Sequence, residues 1–373
     1  MSTGTIIVSG ALANKAGHGG EAWVRLNWVL GYQALGWRVL FLEQLGGPPD
    51  PAAVEYFRGV TTRFDLAENS ALLGADGATL CGLSAARVAE FADDAHALIN
   101  ISGHLTHPPV FERVRRRVYV DIDPGFTQYW HAAGHEGARL RGHDCFFTIG
   151  ENIGTPDCPI PTGDIVWRKT RPPIVLARWP RVAPVFDRFA TIASWRGPFG
   201  TVEFGGQTFG LKVHEFRKFI ELPAHAAGPF ELALNIHPAD APDRAALEDN
   251  GWRIVAPAVA QQPEDFQNYI QRAGAEFSVA QGIYVQTQCG WFSDRTAAFL
   301  ATGKPALVQD TGFSRHLPTG RGLLAFQTLD EAAAGAAEIT AHYGRHCAAA
   351  RALAEAHFDA RKILPQLLAD IAG

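Results

Sequence analysis

An α/β protein made of two doubly wound, mostly parallel sheets facing one another across a cleft is the fold class the sequence predicts, and three observations predict it. Short apolar runs alternate with helical stretches along the chain, the pattern of buried parallel strands joined by crossovers. The alternation restarts, each half opening with a strand, a glycine-rich loop and a helix. Between the halves, seven of the 29 residues 156–184 are proline (Pro156, Pro159, Pro161, Pro172, Pro173, Pro180 and Pro184), in a chain with 23 prolines among 373 residues. Proline fixes φ and lacks a backbone donor, so such a segment suits neither a helix interior nor a sheet interior. The reading places a first domain at 1–165, a linker at 166–188, a second domain at 189–355 and a final helix at 356–373, with a crossing back to the first domain as one option.

In order along the chain, Thr5–Val8 reads as a strand, followed by the loop SGALANKAGHGG. A helix from near Glu21 then carries Trp23, Leu26 and Leu30 on one face and stops at Gly36. Arg38–Leu42 is the second strand, ending at Glu43. Ala97–Ile101, Val118–Ile122 and Cys145–Ile149 are uninterrupted apolar runs, as buried parallel strands require. In the second half, Phe189–Ala193 is a strand, GPFGTVEFGGQTFG a loop and Leu211–Ile220 a helix. Further strands are expected at Glu231–Ile236, Trp252–Val255, Ile283–Val285 and Pro305–Val308. Helices close the chain from about Asp330, the last with Leu364, Leu367, Leu368 and Ile371 on one apolar stripe.

Lys and Arg number 33 against 38 Asp and Glu, a net charge of −5. The basic surplus of nucleic-acid binders is missing, and no nucleic-acid partner is expected. No apolar run of about eighteen residues is present, so a membrane-spanning helix is not expected. The amino-terminal MSTGTIIVSG has no basic segment and too short an apolar run for a signal peptide. Cys81, Cys145, Cys158, Cys289 and Cys347 are widely scattered, which fits neither a disulfide framework nor a zinc knuckle; the expected compartment is a reducing cytoplasm. Oligomeric state leaves no mark in the sequence.

Ligands of doubly wound sheets bind outside the carboxyl ends of the strands. The loops that matter are therefore 9–20, 102–109, 123–131 and 150–155 in the first half, and 194–210, 237–242, 256–262, 286–296 and 310–316 in the second. The most informative stretch is 276–326, EFSVAQGIYVQTQCGWFSDRTAAFLATGKPALVQDTGFSRHLPTGRGLLAF. Its middle runs from a loop (QCGWFSD) through a helix (RTAAFLATG) to a strand (PALVQD). It resembles the donor-sugar half of GT-B glycosyltransferases, in particular bacterial enzymes with a GWFSDRT…GKP…QDTGF pattern, and is similar to the HCGWNS…GxP…D signature of nucleotide-sugar transferases. The resemblance covers most of the second half. Over the first half it is architectural, apart from a histidine in the loop after the first strand. It implies two Rossmann-like domains, a nucleotide-diphosphate sugar bound by the second as substrate rather than cofactor, and an acceptor held by the first.

The residues themselves support this reading. Ser293 and Asp294 stand where a helix starts, and the free N–H groups of its first turn, with the helix dipole, form an anion site worth up to about 2 kcal/mol without a metal. Arg295 is placed for a bidentate contact to a diphosphate, with Thr296 beside it. Lys212 supplies a second cation, and Gly205 and Gly206 let the backbone approach phosphates closely. Plainer readings stay open: an N-cap for Ser293 and Asp294, a surface position for Arg295, a simple turn at Gly205–Gly206. By the resemblance, Pro257, Ala258 and Val259 cup the nucleobase, and Asp310 or the backbone of Thr311–Phe313, Gly312 included, takes sugar hydroxyls. Two departures bear on the sugar. Gln288 stands where relatives have His, and the helix before Gly303 lacks the glutamate that many of them place on the donor.

Glycosyl transfer needs a base for the acceptor hydroxyl. His18, in KAGHGGE, is the first choice, in the loop where the resembling inverting family places its base; Asp123, at the end of VYVDI, is placed to hold the imidazole in one tautomer. The plainer alternatives are a solvated histidine and an aspartate capping the turn before Pro124. His104 and His107 lie on a cleft-side loop, His104 as an acceptor contact or alternative base; no third ligand of suitable spacing makes them a metal site. Glu151 and Asn152 are candidate acceptor contacts, and Arg113–Arg117 reads as a solvated helix end. The expected function is metal-independent transfer of a hexosyl or related sugar from a nucleotide-diphosphate sugar to a hydroxyl of a small-molecule or glycan acceptor, inversion slightly favoured. A non-hydrolysing sugar-nucleotide epimerase and a non-catalytic nucleotide-sugar-binding protein are the same-fold alternatives. A dinucleotide-dependent oxidoreductase fits less well: Glu43 suits a ribose, but GALANKAGHGG does not match the G-x-G-x-x-G turn.

Overall fold

Uninterrupted apolar runs become interior strands. The computed structural model describes residues 4–226 and 228–372, so Met1–Thr3 of the amino-terminal stretch, Ala227 and Gly373 of the final helix lie outside the described residues. The first sheet holds β1 (Thr5–Ser9), β2 (Arg38–Gln44), β3 (Ser70–Leu73), β4 (Thr79–Gly82), β5 (Ala95–Ile101), β6 (Arg117–Asp121), β7 (Cys145–Thr148) and β8 (Trp167–Lys169). Its order is β4-β3-β2-β1-β5-β6-β7-β8, and β4 alone runs antiparallel to its neighbour. Every residue of β1 is buried, as a central parallel strand covered on both faces must be. β3 and β4 escape the sequence reading because each is a four-residue strand, too short to show a period. β8 lies within the segment read as a linker: despite its prolines, that segment contributes an edge strand, where a missing N–H costs least.

The second half begins with β9 (Phe189–Ser194), the hairpin β10 (Val202–Phe204) and β11 (Gln207–Phe209), then β12 (Phe230–Asn235), β13 (Trp252–Val255), β14 (Ala275–Ser278), β15 (Ala306–Gln309) and β16 (Leu323–Phe326). Six of these form a wholly parallel sheet in the order β13-β12-β9-β14-β15-β16. The expected strand at Ile283–Val285 is instead part of a helix, Gly282–Thr287, and the strand is β14, just upstream. Glu276 in the middle of β14 masks it in the sequence. That carboxylate is fully buried and paired with Arg295, so it costs the strand far less than an isolated charge would.

Both sheets reverse strand order at one point, between β1 and β5 in the first and between β9 and β14 in the second. Loops diverge at such switch points and leave a crevice outside the strand ends. The halves meet along an aromatic seam in which Trp23 lies 4.8 Å from Trp179 and donates its indole N–H to Pro263 O at 2.7 Å. The last helix, Ala360–Ala372, packs on the first-half helix Gly19–Ala34. A Cβ at Gly31 would stand 2.5 Å from Leu364 Cδ1 and 3.2 Å from Ala360 Cβ, so a larger residue there would make Leu364 shift.

Candidate active-site cleft

The loop after β1 is anchored by Glu43, which is fully buried at the end of β2. Its carboxylate accepts from Ala13 N at 2.7 Å, Asn14 N at 2.9 Å and Asn14 Nδ2 at 2.9 Å. Burial pushes its pKa up, and those N–H donors work against the rise. The residue that suits a ribose in an oxidoreductase is thus used internally, to set the loop carrying Lys15 and His18. His18 is the exposed N-cap residue of the helix Gly19–Ala34, with Nδ1 3.1 Å from Ala16 O. With Nδ1–H donated there, the lone pair of the neutral ring lies on Nε2. Next to it, Gly19 permits contact between the halves: a Cβ there would stand 2.2 Å from Gln262 O and 2.7 Å from Ala260 O.

Facing this loop is the helix Asp294–Ala301, N-capped by Ser293, whose Oγ accepts from Arg295 N at 3.2 Å. Arg295 itself donates to Glu276 Oε1 at 2.6 Å, Ile192 O at 2.9 Å and Ser278 Oγ at 2.7 Å. It is therefore a fixed post of the cleft wall, with only part of its guanidinium left for a ligand, and not the free diphosphate fork expected. Lys212 is different. Burial, and then the Arg295 charge, pull its pKa down to about 7, while Glu276, the carboxylate that opposes this, is taken by Arg295. Burial, and then Glu21, push the Asp294 carboxyl up to about 6.

The cleft has two chambers of about 450 Å³ and 430 Å³ that share Glu21, Val24, Ser293, Asp294 and Arg295. The outer one is lined by Gly17–Gly20 and His18 on one side and by Ser194, Asn235, Pro257 and Gln261 on the other. The inner one is lined by Lys15, Arg25, His104, Asp123, Trp130 and Arg139 from the first half and Lys212, Tyr284 and Trp291 from the second. The start of the 294–301 helix stands where the chambers join.

The structure brings together His18, Asp123, His104, Lys212, Pro257, Ser293, Asp294 and Arg295 around this cleft. His18 and Asp123 nevertheless line different chambers, and the expected His–Asp pairing is replaced. The Ala16 carbonyl meets the imidazole, while Asp123 Oδ1 accepts from Tyr284 OH at 3.3 Å. Asp123 is pushed up to about 7 by burial, then by the charges of Glu21 and Asp121. His104 accepts from Arg139 Nη1 at 2.7 Å, and burial with the charges of Arg25, Arg139 and Lys15 pulls it down to about 3.

Other expected contacts are corrected. Gly205 and Gly206, at φ 59° and 78°, are the turn of the β10–β11 hairpin, with nothing within 4 Å of either added Cβ. Neither they nor Ala258 nor Val259 lines a chamber, and Val259 is 39% exposed. Thr296 points into the core, fully buried with its hydroxyl unpartnered. Asp310 spends its carboxylate on Gly312 N at 2.9 Å and Ser314 Oγ at 2.6 Å, and Thr311 Oγ1 donates to Trp291 O. Gly312, at φ 90°, leaves room for Asn152, whose Nδ2 donates to Gln288 O at 2.6 Å and Gly312 O at 3.2 Å. Asn152 is thus a tether between the halves, and Glu151 is held bidentately by Arg171 at 2.8 and 2.9 Å. These side chains are hydrogen-bonded within the protein, and neither the 310–312 loop nor Glu151 and Asn152 lines either chamber.

Residues the sequence reading missed include Glu21 and Arg25, an i,i+4 ion pair in which Arg25 is 2% exposed. Their spacing at the start of a helix behind a glycine-rich loop was the available signal. Tyr284 and Trp291, stacked at 4.5 Å, gave none, because the first sat in a presumed strand.

Two Rossmann-like domains meeting at such a cleft define the GT-B fold of glycosyltransferases. Among solved structures, the chain is similar over 100% of both lengths to an alpha-glucosyltransferase in complex with UDP (TM-score 0.63, 11% identity). It is also similar to Anabaena HepE in complex with UDP-glucose (TM-score 0.61, 12% identity, 99% of each chain) and to sucrose-phosphate synthase from Thermosynechococcus elongatus (TM-score 0.56, 12% identity, 99% of each chain). No family model and no curated protein matches the sequence. At these identities the likeness establishes the fold. One matching alpha-glucosyltransferase structure holds DNA beside UDP-glucose, so this fold gives no support to excluding nucleic acid, and the net charge of −5 carries that expectation alone. No cluster of three or more His, Cys, Asp or Glu able to hold a metal, and no helix long and apolar enough to cross a membrane, occurs among the described residues.

Proposed function

We propose that the protein transfers a sugar from a nucleoside-diphosphate sugar to an acceptor hydroxyl in this cleft. The observation that carries the reading is the 294–301 helix start at the junction of two chambers, with Lys212 lining the inner one and the Glu276 carboxylate that would favour its charge paired with Arg295. The positive end of that helix and a lysine without an ion pair among the described residues suit a diphosphate. The nucleoside then occupies the outer chamber over Pro257, the sugar and the acceptor hydroxyl meet at the junction of the chambers on the His18 side, and the rest of the acceptor extends into the inner one. Structures of this fold bound to UDP and UDP-glucose make a uridine donor the first to test.

As the glycosidic bond to the diphosphate breaks, charge grows on the leaving oxygen. The helix start and protonated Lys212 stabilise it without a divalent ion. His18 Nε2, its tautomer set by the Ala16 carbonyl, takes the acceptor proton, which favours inversion. Asp123, held near 7 in the inner chamber, is the one other base with an observation behind it. Product formation from a panel of nucleotide sugars, with the anomer read by NMR, tests this reading. His18→Ala abolishes transfer and leaves UDP affinity intact; unchanged turnover in that variant, with loss in Asp123→Asn, moves the base to Asp123. No release of nucleoside diphosphate from any donor defeats the reading.

A further inference from the structure

Five cationic side chains line the inner chamber, together with the carboxyl groups of Glu21, Asp123 and Asp294. Of its cations, Arg25 is paired with Glu21 and Arg295 with Glu276, while Lys212 faces in from the donor half. Lys15 and Arg139 line the opposite wall, and neither has an ion pair among the described residues. Arg139 is set there deliberately. It adopts φ 53°, a conformation that costs a non-glycine residue about 1 kcal/mol. Gly103 packs beneath it so closely that a Cβ there would stand 2.7 Å from Arg139 O. Its one side-chain hydrogen bond goes to His104 Nδ1, a nitrogen that accepts only while the ring is neutral. Arg139 therefore has no carboxylate partner among the described residues, and most of its donors are free of protein hydrogen bonds. On the same wall Arg25, 2% exposed, has a buried Nε without a partner.

We propose that this first-half wall is an oxyanion subsite and that the acceptor is a small molecule bearing a phosphate or carboxylate, held by Lys15 and Arg139. The word acceptor rests on the glycosyl-transfer reading; the anion subsite does not. Two cations without an ion pair among the described residues, on one wall of the chamber beside the paired Arg25, favour anionic over neutral acceptors.

The test is a melting-temperature titration with inorganic phosphate and, in parallel, acetate, each with and without saturating UDP. Filling the donor site with UDP isolates the second wall. The expected result is that at least one anion still stabilises the UDP-bound protein, and that Lys15→Gln/Arg139→Gln weakens this at least tenfold with UDP affinity within about twofold. The charge-retaining Lys15→Arg/Arg139→Lys variant restores it. The two anion arms tell phosphate from carboxylate. Loss of all anion binding once UDP is bound, or anion binding unchanged in the neutral variant, overturns the proposal. Should UDP fail to bind while the neutral variant still loses the anion, the donor reading falls and the subsite stands.

Discussion

Gly17–Gly20 and Gly205–Gly206 look alike in the sequence, yet the structure uses them in opposite ways. Gly19 lies in ordinary helical backbone and is required by contact, since its missing Cβ makes room for the carbonyls of Ala260 and Gln262 across the seam. Gly205 and Gly206 are required by conformation, with positive φ and open space around them. At Gly19 the missing Cβ lets the two halves close beside the cleft; at Gly205 and Gly206 the backbone only turns a hairpin.

Four substitutions put this difference to the test. The largest effect is expected at Glu276→Ala, which leaves Arg295 buried without its carboxylate; urea unfolding should show a loss of about 3–5 kcal/mol. Gly19→Ala comes next. Backbone atoms at 2.2 Å cannot yield cheaply, so about 3 kcal/mol of stability or a widened cleft with weaker UDP binding is expected from unfolding and calorimetry. Lys212→Met should spare stability and weaken UDP binding about tenfold, about 1.4 kcal/mol. The smallest effect belongs to Gly205→Ala, about 1 kcal/mol from positive φ alone, with UDP affinity unchanged.

Much of the fold was legible because buried parallel strands leave continuous apolar runs: β1, β2, β5 to β7, β9, β12, β13 and β15 all fall within or next to the runs read as strands. β14 was hidden by Glu276, whose partner Arg295 lies nineteen residues on, and no local pattern reveals such a pair. The candidate cleft was legible at Ser293–Asp294 and the loop of His18, which line it. It was illegible where a polar side chain had to choose between ligand and scaffold. Asp310, Asn152 and Glu151 have the right chemistry and the right loops, but the structure gives their hydrogen bonds to Ser314, Gln288 and Arg171. Sequence shows capacity for hydrogen bonding; only the packed chain shows which capacity is already used.

The central claim is that a diphosphate seats against the 294–301 helix start and Lys212. In the empty protein Lys212 titrates at about 7, and a bound diphosphate favours its ammonium form, so its pKa must rise on binding. Affinity should then fall as pH rises from about 7 towards 9, and at pH 8 binding should take up a proton. UDP calorimetry at pH 8 in two buffers of different ionisation enthalpy, with wild type and Lys212→Met, measures this directly. The account expects proton uptake in the wild type and a clear reduction of it, with about tenfold weaker binding, in the variant. UDP binding that neither varies between pH 7 and pH 9 nor responds to Lys212→Met would contradict it.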